Sequence, residues 1–313
     1  MTTPTLDLLA PDTVWVTDGG LATQLEAMGH DLTDALWSAR LLRDDPGAIV
    51  EAHLAFLRAG ARVVTTASYQ ASYTGFAAAG IEADQATRLL LRSVELAREA
   101  RDRYEAEGGG GPRRGGRAVV AASVGPYGAS LADGSEYRGR YGLSVGRLRD
   151  WHARRVEVLA GSGADVLAVE TIPDADEAQA ILDLVRGGGV PAWLSYTVED
   201  GRTRAGQPWP EAFAVAADAP EVIAVGVNCC APGDVLPAAR TAREVTGLPV
   251  VAYPNSGEGW DAAARSWTGT AASLGDLAPS WIQAGVRLVG GCCRVGPEQI
   301  AELVRVAARV RTP

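Results

Sequence analysis

The chain has 313 residues, 47% of them hydrophobic, and a formal net charge of −9. That length and apolar content suit one large buried core, and the scattered basic residues form no stripe that would favour nucleic acid. All 29 basic residues are arginine, which excludes chemistry that depends on a lysine: a Schiff-base aldolase, a pyridoxal-phosphate enzyme, a P-loop NTPase.

Taken in chain order, short apolar, β-branched runs alternate with helical patterns. Strands are predicted at residues 14–18, 62–67, 118–124, 165–170, 192–197, 222–228, 249–253 and 287–290. Most are continuous apolar runs, as in a parallel sheet buried on both faces. A helical pattern covers 21–42. A second, over 82–107, repeats Ala86, Leu89, Leu90, Ala97, Ala100 and Tyr104 at spacings of three, four and seven. A last helix begins at Pro297, with Ile300, Leu303, Val304, Ala307 and Val310 on one face. Eight alternating units read as a single-domain (β/α)₈ barrel over residues 1–313. No dinucleotide fingerprint follows any strand, so a doubly wound open sheet is the weaker reading.

Two glycine-bearing stretches differ in kind. The tract at 108–111, with Gly115-Gly116, precedes a strand and reads as a flexible αβ loop away from the chemistry. Residues 125–142, after the third strand, form the longest irregular stretch, and their glycines, tyrosines and charges suggest a loop that folds over a ligand. No apolar run reaches the length of a membrane span, and Met1-Thr2-Thr3-Pro4 lacks the features of a signal peptide. The expected location is the cytoplasm.

Barrels carry their active sites at the C-terminal ends of the strands. Standing there are Asp18, Ser68, Pro126 with Tyr127, Glu170, Thr197, Asn228 with Cys229, Asn255, and Cys292 with Cys293. The four cysteines form two adjacent pairs, Cys229-Cys230 and Cys292-Cys293. At this size and without a secretion signal, a disulfide-stapled fold is not expected. Metal binding, catalysis and plain burial all remain open. Three thiolates with one open position would make a reactive zinc site. Adjacent strand residues face opposite ways, so Cys229 and Cys230 should not both serve. Gly290-Gly291 can turn the backbone so that Cys292 and Cys293 do.

Several of these stretches carry a resemblance. Asp18-Gly19-Gly20, Gly226-Val227-Asn228-Cys229 and Gly290-Gly291-Cys292-Cys293-Arg294 resemble the homocysteine S-methyltransferase family. So do Thr66-Ala67-Ser68-Tyr69-Gln70, Ser123-Val124-Gly125-Pro126-Tyr127-Gly128, Glu170-Thr171 and Tyr253-Pro254-Asn255-Ser256-Gly257-Glu258. The loop Leu131-Ala132-Asp133-Gly134-Ser135-Glu136-Tyr137-Arg138-Gly139 is similar to that of the bacterial members that use S-methylmethionine.

The resemblance implies the same barrel fold and a Zn²⁺ on Cys229, Cys292 and Cys293, with Asn255 as a candidate fourth, displaceable ligand and Cys230 structural. It implies that Asp18 and Glu170 hold the homocysteine ammonium. Ser68, Gly19 and Gly20 line the substrate site, the glycines allowing a tight turn or close approach. The faces of Tyr69 and Tyr127 would attract a methylsulfonium by about 0.5–2 kcal/mol each. The donor it implies is S-methylmethionine, with S-adenosylmethionine as a slow substitute. The loop offers Ser130, Asp133, Ser135, Glu136 and Arg138 to the donor's amino acid group. The alternatives are betaine or another donor, a barrel acting on phosphorylated substrates near Gly290-Gly291, and a non-enzymatic thiolate zinc-binding or thiol-sensing protein. The oligomeric state is not read from the sequence.

Overall fold

The computed structural model describes residue 9 and residues 13–32, 38–109, 116–261 and 266–310. The chain start and most of the glycine tract lie outside the described residues. Eight parallel strands form one sheet: β1 (Trp15–Val16), β2 (Val63–Thr65), β3 (Val119–Val124), β4 (Val166–Ile172), β5 (Ala192–Tyr196), β6 (Val222–Asn228), β7 (Val250–Tyr253) and β8 (Val286–Val289). Their order is β1-β8-β7-β6-β5-β4-β3-β2. A parallel bridge between Thr17 and Val63 closes the ends, with Arg62 N donating to Val16 O at 2.7 Å and Asp18 N to Val63 O at 3.0 Å. All eight predicted strands are present, each within a few residues of its expected bounds.

Strand alternation divides the core in two. Trp15, Val63, Val119, Ala121, Val166, Ala168, Trp193, Ala224, Val251, Tyr253 and Leu288 fill the barrel interior. Their alternate neighbours, such as Val64, Val120, Leu167, Val169, Leu194 and Val225, pack outward against the helices. Small Ala121, Ala168 and Ala224 make room for the indoles of Trp15 and Trp193. Buried Trp193 needs a partner for its N–H, and Nε1 donates to Tyr253 OH at 2.9 Å.

The helices that wrap the barrel are α1 (Leu21–Ala27), α2 (Ser38–Asp44), α3 (Pro46–Arg58), α4 (Tyr73–Ala78), α5 (Ala83–Ala106), α6 (Val145–Ala160), α7 (Ala175–Val185), α8 (Trp209–Ala214), α9 (Pro232–Thr246), α10 (Leu274–Gln283) and α11 (Pro297–Ala307). Side-chain caps start several of them: Asp45 accepts from Ala48 N, Ser72 from Gly75 N, Ser144 from Arg147 N and Ser273 from Asp276 N. The single pattern expected over 21–42 is two helices, with 33–37 outside the described residues. The first ends because Gly29 takes a left-handed φ of 93°, a helix stop that hydrophobic spacing does not show. Val310 lies beyond the end of α11.

Two short antiparallel ribbons were not expected. One pairs Val198–Glu199 with Arg202–Thr203 after β5; the other pairs Gly259–Asp261 with Ser266–Thr268 after β7. The stretch 125–142 contains 3₁₀ turns at Tyr127–Ser130 and Ser135–Tyr137. Among the described residues, no helix is long and apolar enough to cross a membrane.

Candidate functional site

The three expected cysteines converge. The sulfurs of Cys229, Cys292 and Cys293 lie within 4.8 Å of one another, the one such group of His, Cys, Asp or Glu among the described residues. Cys229 follows β6 in a left-handed conformation, φ 47°, which turns the chain out of strand geometry at that residue. Cys230 packs instead into the layer between strands and helices, and burial holds its thiol far above the usual range. The expectation of reduced thiols is corrected for one pair. Sulfurs that converge closely enough to share an ion are also close enough to bond, and Cys229 and Cys292 form a disulfide with a Cα–Cα separation of 5.5 Å. The Cys293 sulfur stands 4.0 Å from that of Cys229.

The two glycines before Cys292 serve by absence of a side chain, not by backbone freedom. Neither takes a left-handed φ, but a Cβ on Gly290 would stand 2.2 Å from Thr17 Cγ2 and one on Gly291 2.1 Å from Val295 Cγ1. Gly19 and Gly20 are the matching half of this contact: a Cβ on either would meet Val295 O at 2.2 Å or Cys292 O at 2.6 Å. Gly290 N donates to Ala252 O and Gly291 N to Asp18 O, so these amides are engaged and form no phosphate cradle. Asn255 Oδ1 accepts from Cys293 N at 3.1 Å, a partner that sequence reasoning did not foresee.

Two buried carboxylates stand at the same mouth. Asp18 accepts from Thr65 N at 2.7 Å, Thr65 Oγ1 at 3.1 Å and Thr17 Oγ1 at 2.9 Å. Glu170 accepts from Ser123 Oγ at 2.5 Å and from the Tyr253 hydroxyl. Burial pushes both groups up to about 7, and for Glu170 the nearby Asp18 charge adds to it. Glu170 sits at an irregularity in β4, where register shifts between Val169 and Ile172 and Thr171 takes a φ of 58°. Such a bulge re-aims a side chain. Asn228 holds it: Oδ1 accepts from Thr171 N at 2.7 Å and from Ser195 Oγ at 2.8 Å, while Nδ2 donates to Thr171 Oγ1 at 2.7 Å.

Among the described residues, the non-glycine positions with positive φ are Ala132, Arg140, Thr171, Asp200, Cys229 and Arg294. All lie at or after the C-terminal ends of barrel strands. Strain concentrated on one face marks that face as the working one.

The loop after β3 reaches this site through Tyr137, whose hydroxyl hydrogen-bonds the Cys293 sulfur. Arg204 Nε donates to Tyr137 O at 2.9 Å, and Asp174 Oδ2 accepts from Arg140 N at 3.1 Å. Ser68 is buried, its hydroxyl donating to Ser123 O at 2.7 Å and contacting Thr66 Oγ1. Tyr69 is half-buried, its hydroxyl bonded to Thr171. The Tyr127 ring packs on Tyr141 and Trp151 at 5.1 and 5.0 Å, within a cluster that includes the buried His152–Glu177 pair. Buried Arg155 ties the loops together, donating to the carbonyls of Ser68, Tyr69 and Gly125 at 2.7–2.8 Å.

Sequence reasoning missed Tyr137 and Tyr253 as site residues, and placed Asn228 at a strand end without giving it a role. Asn228 carried a signal, a polar residue closing an apolar strand; the roles of the two tyrosines arise only from contacts across strands and loops.

Residues 15–307 match the sequence model of a family described as homocysteine S-methyltransferase. The chain is 45% identical over 305 residues to homocysteine S-methyltransferase of Escherichia coli K12, covering 96% of this chain and 97% of that one. The homocysteine methyltransferase MmuM of E. coli, solved in a metallated form, has a TM-score of 0.86 at 44% identity, covering 96% and 98% of the two chains. Its oxidized form has the same TM-score of 0.86 at 44% identity, covering 96% and 99%.

Proposed function

The chain belongs to the homocysteine S-methyltransferase family, and on that premise we propose that it transfers a methyl group from S-methylmethionine to the thiol of L-homocysteine, with zinc held by Cys229, Cys292 and Cys293. The observation that carries the reading is three sulfurs within 4.8 Å of one another at the mouth of the barrel. The donor set fits zinc: soft ligands, three in number, with a position left for substrate. Opening the Cys229–Cys292 disulfide is a precondition for all three to serve.

A zinc ion there supplies one thing, a lower pKa for the substrate thiol, which is otherwise mostly protonated at neutral pH. The residues of the chain do the rest. Asp18 and Glu170 receive the homocysteine ammonium, which brings a positive charge against two buried carboxylates. Tyr253 and Ser123 orient Glu170, and Tyr253 is itself oriented by Trp193. Asn255 fixes the Cys293 backbone, and Tyr137 donates to the Cys293 sulfur. The homocysteine sulfur attacks the methyl carbon along the line of the breaking bond to the sulfonium sulfur. That bond's electron pair stays with the leaving thioether. Both products are then methionine, and no general acid is required. The loop after β3 keeps water from the thiolate and the sulfonium.

The test supplies reduced, zinc-loaded protein with homocysteine and one donor at a time: S-methylmethionine, S-adenosylmethionine, betaine or methyl-folate. Methionine is expected fastest from S-methylmethionine, slowly from S-adenosylmethionine, and at background from the other two. Betaine outperforming S-methylmethionine would overturn the donor assignment. No methionine from any donor would overturn the activity.

A further inference from the structure

The loop 125–142 offers five polar side chains that sequence reading gives to the donor, and the structure separates them. Ser130 Oγ donates to Tyr127 O at 2.7 Å, Asp133 Oδ1 accepts from Ser135 N at 3.0 Å, and Ser135 Oγ donates to Gly128 O at 3.5 Å. These three build the loop itself. Arg138 is exposed. Glu136 differs from all of them. It is only 5% exposed, and its Oε2 has no hydrogen-bond partner among the described residues.

A buried carboxylate oxygen with no partner costs free energy unless something arrives to satisfy it. Its surroundings say what. Tyr137, next to it in the chain, bonds the Cys293 sulfur, and the Tyr141 hydroxyl stands against the same turn, where a Cβ on Gly128 would meet it at 2.6 Å. The carboxylate therefore lies beside the mouth, among phenols, and its charge adds to the burial that holds the Tyr69 and Tyr141 hydroxyls above their ordinary range. Its position is firm. Its neighbour Tyr137 is bonded to Cys293 and held by Arg204, and a Cβ on Gly128 would stand 2.5 Å from Glu136 N, so two halves of the loop pack backbone to backbone.

We infer that Glu136 is the specificity residue for the methyl donor, binding its α-ammonium. The inference rests on the proposed reaction and assigns one of its contacts. The alternative cationic target, the sulfonium, is the poorer match. Its charge vanishes as the methyl moves, so an anion against it would stabilise the ground state more than the transition state. The ammonium keeps its charge throughout. A carboxylate there binds both states alike, orients the donor and leaves the chemical barrier untouched. Asp18 and Glu170 remain for homocysteine.

The experiment uses the full zinc-loaded chain, wild type against Glu136→Gln and Glu136→Asp. Two donors are compared: S-methylmethionine, and a dimethylsulfonium carboxylic acid of similar length without an amino group. In Glu136→Gln, preference for the amine-bearing donor over its amine-free analogue should fall about 10- to 100-fold, the scale of one buried charge-assisted hydrogen bond. The change should lie in the donor KM, with homocysteine KM and zinc content unchanged. Glu136→Asp, which keeps the charge on a shorter arm, should recover part of the preference and carries the test if the glutamine variant does not fold. Equal losses with both donors, a change in homocysteine KM instead, or no change would overturn the assignment while leaving the methyl-transfer reading intact. A wild-type protein that moves no methyl from either donor would overturn the underlying reaction and this assignment with it.

Discussion

Asn228 shows how an amide side chain can set the geometry of a neighbouring carboxylate without bonding it. It bonds the backbone and side chain of Thr171, and so holds a β-branched residue at a φ of 58° next to Glu170. Removing one partner of a buried bond leaves the other unsatisfied, at about 1–3 kcal/mol. Asn228→Ala is therefore expected to lower stability by roughly that amount. It should also raise homocysteine KM by about 10- to 100-fold through misplacement of Glu170. A thermal melt and steady-state kinetics check the two parts; an unchanged homocysteine KM contradicts the positioning role. Glu170 itself gives a pH test of definite sign. Its folded pKa is raised from 4.5 to about 7. A raised carboxyl contributes stability in full below its unfolded pKa and loses it as pH climbs through 7. Glu170→Gln never ionises and loses nothing. The ligand-free variant should match the wild type near pH 4 and exceed it above pH 7 by on the order of 3 kcal/mol. Wild-type homocysteine binding should instead tighten toward pH 7, with proton release, since the ammonium favours the ionised form. Denaturant unfolding of both proteins across that range measures the difference, and a gap that narrows as pH rises would contradict it. At this scale the sequence was partly readable. Asp18, Glu170 and the cysteines are chemistry-bearing residues at or just beyond the ends of apolar strands. The clamp and the Tyr253 contact were not, because they join residues 57 and 60 or more positions apart whose partners depend on strand register.

In the proposed reaction, the loop after β3 is the element that recognises the donor. It is long, yet its serines and Asp133 fold it on itself, and Arg204 and Asp174 bind it from the β4 and β5 side. One of its tight points is Gly128, where an added Cβ would meet Glu136 N at 2.5 Å and Tyr141 OH at 2.6 Å. Backbone cannot yield as a flexible side-chain end does. Gly128→Ala should displace the Glu136–Tyr137 turn and lower donor kcat/KM by about tenfold or more, while metal content stays the same. Titration of donor and zinc measurement on one preparation decide it; normal donor kinetics would show that the turn's position is unimportant. Elements differ in how plainly the sequence announces them. The eight strands are continuous apolar runs and were legible to within a few residues. The ribbon Val198–Glu199 with Arg202–Thr203 was not, because two-residue strands carry no periodicity. The break after α1 depends on a left-handed Gly29 that is one glycine among 37.

At the scale of the whole molecule, the closed barrel converts distance in sequence into proximity. Cys229 and Cys292 are 63 residues apart, and parallel strands bring their ends to one rim. A coordination set built this way should fail when any member is lost. Cys292→Ala and Cys293→Ala are each expected to abolish tight zinc binding, whereas Cys230→Ala, removing a thiol packed among helices, should keep full zinc content. Full occupancy in either of the first two would remove that ligand from the set. The strand ends showed cysteines on one rim and the family resemblance named the three; the disulfide between two of them was not foreseen, because pairing depends on where sulfurs meet. The central proposal is that the three cysteines would hold a zinc ion and leave it a position for the homocysteine sulfur. X-ray absorption at the zinc edge of the reduced, loaded protein tests it most directly. Three sulfur neighbours are expected without substrate and four after homocysteine is added. A sulfur count that stays the same on adding homocysteine would contradict the account.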